Sequence, residues 1–493
     1  MGLTIERDSF EEADFERFSA RLQTQLEALE RVLGDPSFGA GPSSIGAEVE
    51  LSLVDANARP LGVNDEVLAR ANDRRLSLEL DRFNLEINAD PSPLEGRPFD
   101  ALESQLGETL AKVQGAAAAL GGRAVLIGIL PTLTPDDVAQ GALSDANRYR
   151  ALSAGLRRLR GEPFDVRVRG EDEVTFASDN IALEGANTSF QIHLRVDADR
   201  FAAAYNAAQL ASAVALAAAV NSPTLFGARL WSETRIALFR QSVDDRAAAA
   251  PDDWRPARVS FGHGWVRRQA YELFAESVSM HPPLIPVCGD EDAHHAVDQG
   301  RPPLLAELRL HQGTVWRWNR AVYDPTAGGH LRIEFRALPS GPTVPDMVAN
   351  AAFLLGLTLG LEPSIEHLLS RITFGQARQN FYAAAQHGLD AELLWPGPTA
   401  PLRRVRAADL ALELLPLAAR GLERHGVATS DAAPRLALLR ERLERRQTGA
   451  AWQRAALADL GKTLGKRAST AAMLEAYLAH GRTGAPVHGW PLR

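Results

Sequence analysis

Four segments of the chain alternate between apolar and polar residues, which is the pattern of a β-strand with one buried face. In each segment one face is apolar, and the other carries carboxylate, amide, imidazole or guanidinium groups. The segments are SIGAEVELSL (44–53), NLEIN (84–88), NTSFQIHLRV (187–196) and HLRIEFRAL (330–338). Because an apolar sheet face must be covered, we expect helices to pack against these strands.

Apolar residues recur at helical spacing through most of the remaining chain. This spacing predicts helices at residues 11–33, 95–120, 148–160, 198–220, 345–361, 374–385, 407–423, 434–445, 450–464 and 470–480. Shorter strands are predicted at residues 124–130, 305–310 and 314–319. Strands and helices do not alternate strictly, and helices prevail towards the C-terminus, so the pattern indicates an α+β fold.

The composition is that of a soluble globular protein, with 45% hydrophobic and 23% charged residues. A net charge of −9 leaves no excess of positive charge to hold a nucleic acid or an anionic membrane. The single cysteine, Cys288, excludes an intrachain disulfide and any site built from several thiolates. The N-terminal segment lacks the apolar region of a signal peptide, and the apolar stretches near 207–220 and 351–361 are too short to span a membrane. We therefore expect a cytoplasmic protein.

The polar faces of the four strands suggest a shared site. If they converge, one cavity holds the carboxylates of Glu48, Glu50, Glu79, Glu86 and Glu334. Carboxylates share a cavity in this number only when cations lie among them, and oxygen-rich ligation favours Mg²⁺ or Mn²⁺ over Zn²⁺. Arg336, two residues from Glu334, suggests a phosphate nearby, so the set is typical of phosphoryl transfer from a metal–nucleotide complex. The alternative is that the polar faces are simply solvated, as in many antiparallel sheets.

Eight short motifs follow one another along the chain in the order found in a known family. They are GAEVE (46–50), ELDRFNLEI (79–87), NRYR (147–150), NTSFQIHL (187–194), NSPTLFGARLWSETR (221–235), HLRIEFRALPSGPT (330–343), HGLDAE (387–392) and TGAAWQR (448–454). Together they resemble the glutamate–cysteine ligase family 2, the carboxylate–amine ligases related to glutamine synthetase. Because the motifs span nearly the whole chain, the resemblance favours one domain, 1–493, over the three that length alone allows. Within it we distinguish a sheet-and-helix core, 1–395, from a helical C-terminal region, 396–493, with a linker-like stretch at 395–401.

The resemblance implies a glutamine synthetase-like fold, in which a curved antiparallel sheet forms a half-barrel or funnel with helices outside. Such a funnel binds ATP with Mg²⁺ ions at one end and an amino acid at the other. In related enzymes the side-chain carboxylate of glutamate attacks the γ-phosphorus of ATP, and an amine then attacks the acyl phosphate to form an amide. The implied function is a γ-glutamyl amide ligase with cysteine as the first candidate amine, a step of glutathione biosynthesis.

The resemblance also implies roles for individual residues of this chain. Metal ligation is expected of Glu48, Glu50, Glu79, Glu86, Gln191 and Glu334. Catalysis is expected of Arg336 on the transferring phosphoryl group and of Arg235 on a substrate carboxylate or the phosphates. Nucleotide binding is expected of Arg336, Arg332, Arg235 and His193, with Arg229 and Arg240 as further candidates. Many bacterial members have a His-x-His pair where this chain has Gln191-Ile192-His193, but an amide oxygen can also ligate a metal.

Several alternatives stay open at this level. The acid and the amine can differ from glutamate and cysteine, a kinase-like reaction can stop at the phosphorylated intermediate, and a member without turnover can bind nucleotide or metal as a sensor. Retention of Glu334 together with Arg336 favours turnover, because simple metal binding does not need a phosphate-binding arginine. The expected partners are small molecules, with no nucleic acid and no membrane. A homo-oligomer is compatible with the sequence, and Mn²⁺ is the alternative to Mg²⁺.

Overall fold

The alternating segments form one antiparallel sheet in the computed structural model, which describes residues 5–139, 141–247, 254–397 and 402–492. The strands of these residues are β1 (Ser44–Val54), β2 (Leu76–Leu78), β3 (Asn84–Pro93), β4 (Arg123–Val125), β5 (Phe164–Arg169), β6 (Glu173–Ser178), β7 (Phe190–Val196), β8 (Thr224–Leu225), β9 (Ala228–Arg229), β10 (Asn319–Asp324), β11 (His330–Phe335), β12 (Glu392–Pro396) and β13 (Leu402–Arg406). The large sheet has the order β10-β11-β7-β1-β3-β2, with β4 paired to β1. Separate hairpins are formed by β5-β6, β8-β9 and β12-β13.

Helices make up much of the rest of the described chain. They are α1 (Glu12–Leu33), α2 (Asn64–Ala71), α3 (Pro98–Ala118), α4 (Asn147–Arg160), α5 (Ala182–Gly185), α6 (Phe201–Ala219), α7 (Thr234–Ser242), α8 (Tyr271–Met280), α9 (Ala293–Asp298), α10 (Ala306–Gln312), α11 (Val344–Leu361), α12 (Ile365–Leu369), α13 (Phe374–His387), α14 (Ala407–Arg424), α15 (Thr429–Arg445), α16 (Gly449–Leu460) and α17 (Lys466–Gly481). The predicted helices at 11–33, 148–160 and 345–361 agree with α1, α4 and α11 to within one residue at each end.

The apolar faces of the strands form the core together with the helices that cover them. On β1, Ile45, Val49 and Leu53 are at most 2% exposed, as the alternation predicts. On one side of the sheet α3 packs against β1, β3 and β4, while α6 contacts β10 and β11 and α11 contacts β7. Helices α6 and α11 also pack against each other and are buried almost throughout.

Two helical segments are longer than the apolar stretches predicted from the sequence. By length and composition alone, Phe201–Ala219 and Val344–Leu369 could each cross a membrane. In both, 89% of the most apolar window is buried inside the folded protein. Packing of α6 and α11 in the core therefore accounts for their hydrophobicity.

Helix α14 crosses α11 at very close range because both carry glycine at the crossing. A Cβ on Gly421 would lie 2.2 Å from the carbonyl oxygen of Gly356, and one on Gly360 would lie 2.7 Å from that of Leu417. Helices α14 and α15 of the C-terminal region thus pack directly on α11 of the core. At the predicted linker, Trp395 and Pro396 belong to β12, and residues 398–401 lie outside the described residues. The single domain stays a prediction.

The short-strand predictions were wrong or too long. Residues 306–310 lie in helix α10, and Leu305 caps its start. An apolar stretch of six residues is too short for its periodicity to separate a helix from a strand. The strand predicted at 314–319 begins only at Asn319, and the one predicted at 124–130 ends at Val125. The β5–β6 hairpin was missed, although residues 164–169 alternate strictly between buried and exposed.

Candidate active site

The polar residues of four neighbouring strands face one another across the sheet. The directly opposed pairs are Glu48–Asn88, Glu48–Gln191, Glu50–Glu86 and Glu334–His193. Directly opposed residues of an antiparallel pair project to the same side of the sheet. The alternation read from the sequence therefore gathers carboxylates, an amide and an imidazole on one face.

These side chains form two groups that could each hold a metal ion. The first cluster consists of Glu48, His193 and Glu334. The second cluster consists of Glu50, Glu79 and Glu86. Each residue offers one possible ligand atom, a carboxylate oxygen or an imidazole nitrogen, and the three atoms of a cluster all lie within 4.8 Å of one another. The five acids predicted from the sequence are thus brought together in two adjacent sets, because β1 supplies one acid to each.

Positive charges surround the first cluster. Arg320 donates two hydrogen bonds to Glu334, one of them 2.9 Å from Nη2 to Oε1, and Nη1 of Arg336 lies 3.3 Å from the same Oε1. Nε2 of His193 lies 3.2 Å from Oε1 of Glu48. Burial alone would raise the pKa of Glu334, but Arg320, Arg336 and His193 lower it well below its ordinary value. Burial is likewise outweighed at Glu48, where His193 and Arg336 lower the pKa.

The second cluster has hydrogen-bond donors but no ion pair to an arginine or lysine among the described residues. Glu50 accepts from the Ser189 amide at 2.7 Å and from Nε2 of Gln191 at 3.1 Å. Burial and repulsion from Glu48 and Glu50 raise the pKa of Glu86 to about 8. Burial and repulsion from Glu86 and Glu50 raise the pKa of Glu79 well above its ordinary value. Burial also raises the pKa of Glu50, although the Ser189 amide and Arg336 oppose it.

Three charged residues near the clusters were missed from the sequence. Glu184, on the four-residue helix α5, has a pKa raised to about 7 by burial and by Glu50. Asp81 is fully buried, and neither carboxylate oxygen has a hydrogen-bond partner among the described residues. Arg320 was missed because its strand was predicted to end at residue 319. Asp81 lies within the ELDRF motif, which is the one signal that could have drawn attention to it.

Gln191 and His193 both lie on the polar face, and the roles that the resemblance implies for them stay predictions. Gln191 lies between the clusters, where Nε2 donates to Glu50 and Oε1 accepts a hydrogen bond from Arg336. His193, two residues further along β7, is the residue grouped with Glu48, and its Nδ1 has no hydrogen-bond partner among the described residues. In the cross-strand register of β7, His193 is opposite Glu334 on β11, whereas Gln191 is opposite Glu48 on β1.

A cavity of about 320 Å³ opens beside the first cluster, towards the β10–β11 turn. Its wall includes Glu48 and His193 together with two arginines, Arg195 and Arg332. Nη1 of Arg332 lies 3.1 Å from Oδ2 of Asp324. Arg332 is therefore beside the first cluster, as expected for a residue that contacts a nucleotide, but that role stays a prediction.

The three other arginines form no ion pair with the acids of the two clusters among the described residues, although Arg235 acts electrostatically on Glu50. Arg235 is 1% exposed, and its guanidinium donates to Glu233 at 2.9 Å and to the Ala337 carbonyl at 2.6 Å. This buried pair ties the NSP loop to the segment after β11, so contact between Arg235 and a substrate stays a prediction. Arg229 and Arg240 have partners elsewhere. Arg229 pairs with Glu171, and Arg240 lies over the Tyr382 ring.

The second cluster has the donor set of a divalent-cation site. Its three carboxylates can present their oxygens to one point, and their raised pKa values mean that bringing them together as anions is unfavourable without a counter-charge. Oxygen donors of this kind suit Mg²⁺ or Mn²⁺. The first cluster adds an imidazole nitrogen to two carboxylates and also fits a cation.

The family model for glutamate–cysteine ligase family 2 matches residues 44–473. The chain belongs to this family. It is therefore a carboxylate–amine ligase, an enzyme that forms carbon–nitrogen bonds, as the motifs indicate. No curated protein sequence matches the chain.

Two solved structures resemble the whole chain in fold. One is the glutamate–cysteine ligase of Francisella tularensis in complex with AMP, with 12% identity, a TM-score of 0.53, and coverage of 92% of this chain and 91% of that one. The other is a bifunctional glutathione synthetase from Pasteurella multocida, with 10% identity, a TM-score of 0.50, and coverage of 93% of this chain and 54% of that one. The similarity confirms the predicted α+β fold of the glutamine synthetase-like class.

Proposed function

We propose that this member of the family joins the γ-carboxylate of glutamate to an amine, using ATP and Mg²⁺ through an acyl phosphate. The observation that carries the proposal is the pair of adjacent carboxylate clusters on one sheet face with Arg336 between them. Glu50, Glu79 and Glu86 together with Glu48, His193 and Glu334 would hold the metal ions. Gln191 has the geometry of a bridge between Glu50 and Arg336 rather than of a first-cluster ligand.

Two anions must meet for an acyl phosphate to form, namely the substrate carboxylate and the triphosphate. Bound Mg²⁺ would supply the charge neutralisation and phosphate polarisation that this step needs. The chain itself keeps Glu334 ionised, because Arg320 and Arg336 lie against it. A carboxylate that stays ionised is ready to accept a cation without first losing a proton.

Arg336 is the best-placed residue to act on the transferring phosphoryl group. It borders both clusters through Glu334 and Gln191, and it is itself largely buried. A guanidinium held in position before the reaction needs no reorganisation when negative charge develops on the phosphoryl oxygens. Removal of one such group commonly costs about 10²–10³-fold in turnover.

The direct test is release of ADP from ATP and Mg²⁺ with glutamate, measured across a panel of amines that includes cysteine. We expect ADP release that depends on the amine and a γ-glutamyl amide of matching mass. The Glu334→Ala variant should lose this activity. ADP release without amide would instead indicate a kinase-like reaction, and binding of Mg²⁺–ATP by calorimetry without any release would indicate a sensor.

A second carboxylate–arginine pair provides a matched control. Glu362 accepts two hydrogen bonds from Arg200, at 2.9 and 2.7 Å, and among the described residues it forms no hydrogen bond or ion pair with either cluster. Glu362→Ala breaks a pair of the same kind as Glu334→Ala. If both variants lost activity equally per folded molecule, the assignment of Glu334 to the metal site would be wrong.

A further inference from the structure

A second cavity lies along the outer edge of β10, the strand at the end of the large sheet. Its volume is about 390 Å³, within the range of small-molecule sites in proteins. Arg320 lines this cavity and is also hydrogen-bonded to Glu334 of the first cluster. Arg320 therefore borders both this cavity and the proposed metal site.

Most of the cavity wall is apolar. Its apolar side chains include those of Ile5, Leu152, Phe274, Ile285, Leu310 and Val322. A wall of this kind favours an aliphatic or aromatic group, because contact removes apolar surface from water. A side chain as short as that of cysteine would leave much of this surface uncovered.

A buried amide supplies the polar part of the cavity. Gln312, at the end of α10, lines the cavity and is 4% exposed. Neither its Oε1 nor its Nε2 has a hydrogen-bond partner among the described residues. A buried polar group left without partners is unfavourable, so a ligand that completes its hydrogen bonds is favoured. Its Nε2 can donate to a carboxylate, and its Oε1 can accept from an amine.

The rim of the cavity adds a positive charge. Arg148, on α4, lines the cavity and is exposed to solvent. It also acts electrostatically on Glu184, which lies beside the second cluster. A carboxylate-bearing ligand would therefore meet a guanidinium at the entrance, an amide within, and apolar side chains around its body.

We propose that this cavity binds the amine substrate and that the amine is an amino acid with an aliphatic or aromatic side chain; the inference rests on the proposed ligase function. The acid substrate must place its carboxylate on the polar face among the two clusters. A ligand in the cavity approaches that face from the sheet edge, past Arg320, which suits the second substrate.

The reaction that follows is balanced without another reagent. The amine nitrogen attacks the carbonyl carbon of the acyl phosphate, so a carbon–nitrogen bond forms and the carbon–oxygen bond to phosphate breaks. Phosphate leaves with the electron pair of that bond. The proton released by the amine passes to the departing phosphate.

The preference for the amine can be measured as kcat/KM for ADP release with ATP, Mg²⁺ and glutamate. We expect leucine, methionine or phenylalanine to exceed cysteine at least tenfold. Hydroxylamine serves as a small amine that traps an acyl phosphate as a hydroxamate. If hydroxamate formed, but kcat/KM were higher for cysteine than for all three apolar amino acids, this inference would be overturned and the ligase function would stand. No ADP and no hydroxamate with any amine would overturn both.

Variants of the cavity test the same inference by a second route. Gln312→Met keeps the side-chain length but removes both polar atoms. KM for the preferred amino acid should therefore rise at least tenfold, and this rise should exceed the rise in KM for hydroxylamine. Leu152→Trp narrows the cavity and should shift the preference towards glycine and alanine. Gln299→Met, at an exposed glutamine after α9, is the control. It should change neither the KM for the preferred amino acid nor the preference among amino acids. Equal changes for hydroxylamine and the amino acid would contradict a binding role.

Discussion

The two carboxylate clusters lie next to each other on one sheet face, yet their charges are balanced in opposite ways. Around the first cluster, Arg320, Arg336 and His193 keep Glu334 ionised and its pKa low. In the second cluster, the carboxylates lie close to one another without an ion pair to a basic residue in the described chain, and burial with mutual repulsion raises the pKa of Glu86 to about 8. The first cluster carries its own counter-charge, whereas the second requires one.

Strand order explains the difference. β11 lies between β10 and β7, so Glu334 faces Arg320 on one side and His193 on the other. β3 lies between β1 and β2, so Glu86 faces Glu50 on one side and Ser77 on the other. The sheet thus presents a charge-balanced region and an acidic region side by side. We infer that the second cluster is where a divalent cation gains the most electrostatic energy.

The largest effect is expected from Glu334→Gln. The substitution leaves Arg320 and Arg336 without their carboxylate, and removal of one partner of a buried ion pair costs about 3–5 kcal/mol of stability. Turnover should fall at least about 10²-fold, since the proposed metal site and the position of Arg336 both change. Urea unfolding without metal and ADP release measure the two effects, with Glu362→Gln as the matched control. A Glu334→Gln protein as stable as wild type would refute the view that the first cluster is charge-balanced.

Glu86→Gln should separate activity from stability. We expect turnover to fall by about 10²-fold, because a carboxylate of the proposed metal site loses its charge. Without metal at pH 8 the variant should be at least as stable as wild type, because an unfavourable carboxylate is replaced by a neutral group. The same two measurements apply. Loss of stability comparable to that of Glu334→Gln would remove the contrast between the clusters.

The pH dependence of stability should depend on Mg²⁺. The pKa of Glu86 is raised by folding from about 4.5 to about 8, so the protonated group favours the folded state below pH 4.5. That contribution is lost as pH rises through 8, at no more than about 1.4 kcal/mol per pH unit for one proton. Bound Mg²⁺ favours the ionised form, so the gain in Tm on adding Mg²⁺ should grow between pH 6 and 9.

The control for this experiment is NaCl at the same ionic strength, which screens charges without ligating them. Glu86→Gln should flatten the dependence. If the gain in Tm with Mg²⁺ were constant over this range in the wild type, the raised pKa values would not govern cation binding at the second cluster.

Much of this arrangement could be predicted from the sequence because strands alternate with period two. Once Ile45 and Val49 are assigned to the buried face of the strand, Glu48 and Glu50 must lie on its other face, which requires no knowledge of the neighbouring strands. The division into two clusters could not be predicted, because it depends on which strands are neighbours and in what register. The same reason explains Gln191 and His193, which share a face but meet different partners.

Glu184, Arg320 and Asp81 were not predicted from the sequence for a different reason. Glu184 lies on a helix of four residues, too short for any periodicity to appear. Arg320 lies on an edge strand, β10, that was predicted to end one residue before it. Asp81 lies in a connecting segment between β2 and β3. Positions outside long regular elements are fixed by tertiary contacts, which the sequence pattern does not contain.

The smallest effect is expected from Glu184→Gln, which tests where the acidic region ends. Glu184 is within electrostatic reach of Glu50 and Glu79, but it is outside the group of three whose ligand atoms converge. Its neutralisation should lower the pKa of Glu79 and weaken Mg²⁺ binding only a few-fold, since a nearby charge is lost and no ligand is. A Mn²⁺ titration followed by electron paramagnetic resonance measures the affinity, with Glu86→Gln for comparison. If Glu184→Gln weakened binding as much as Glu86→Gln, Glu184 would be a ligand, and the second cluster would contain four carboxylates.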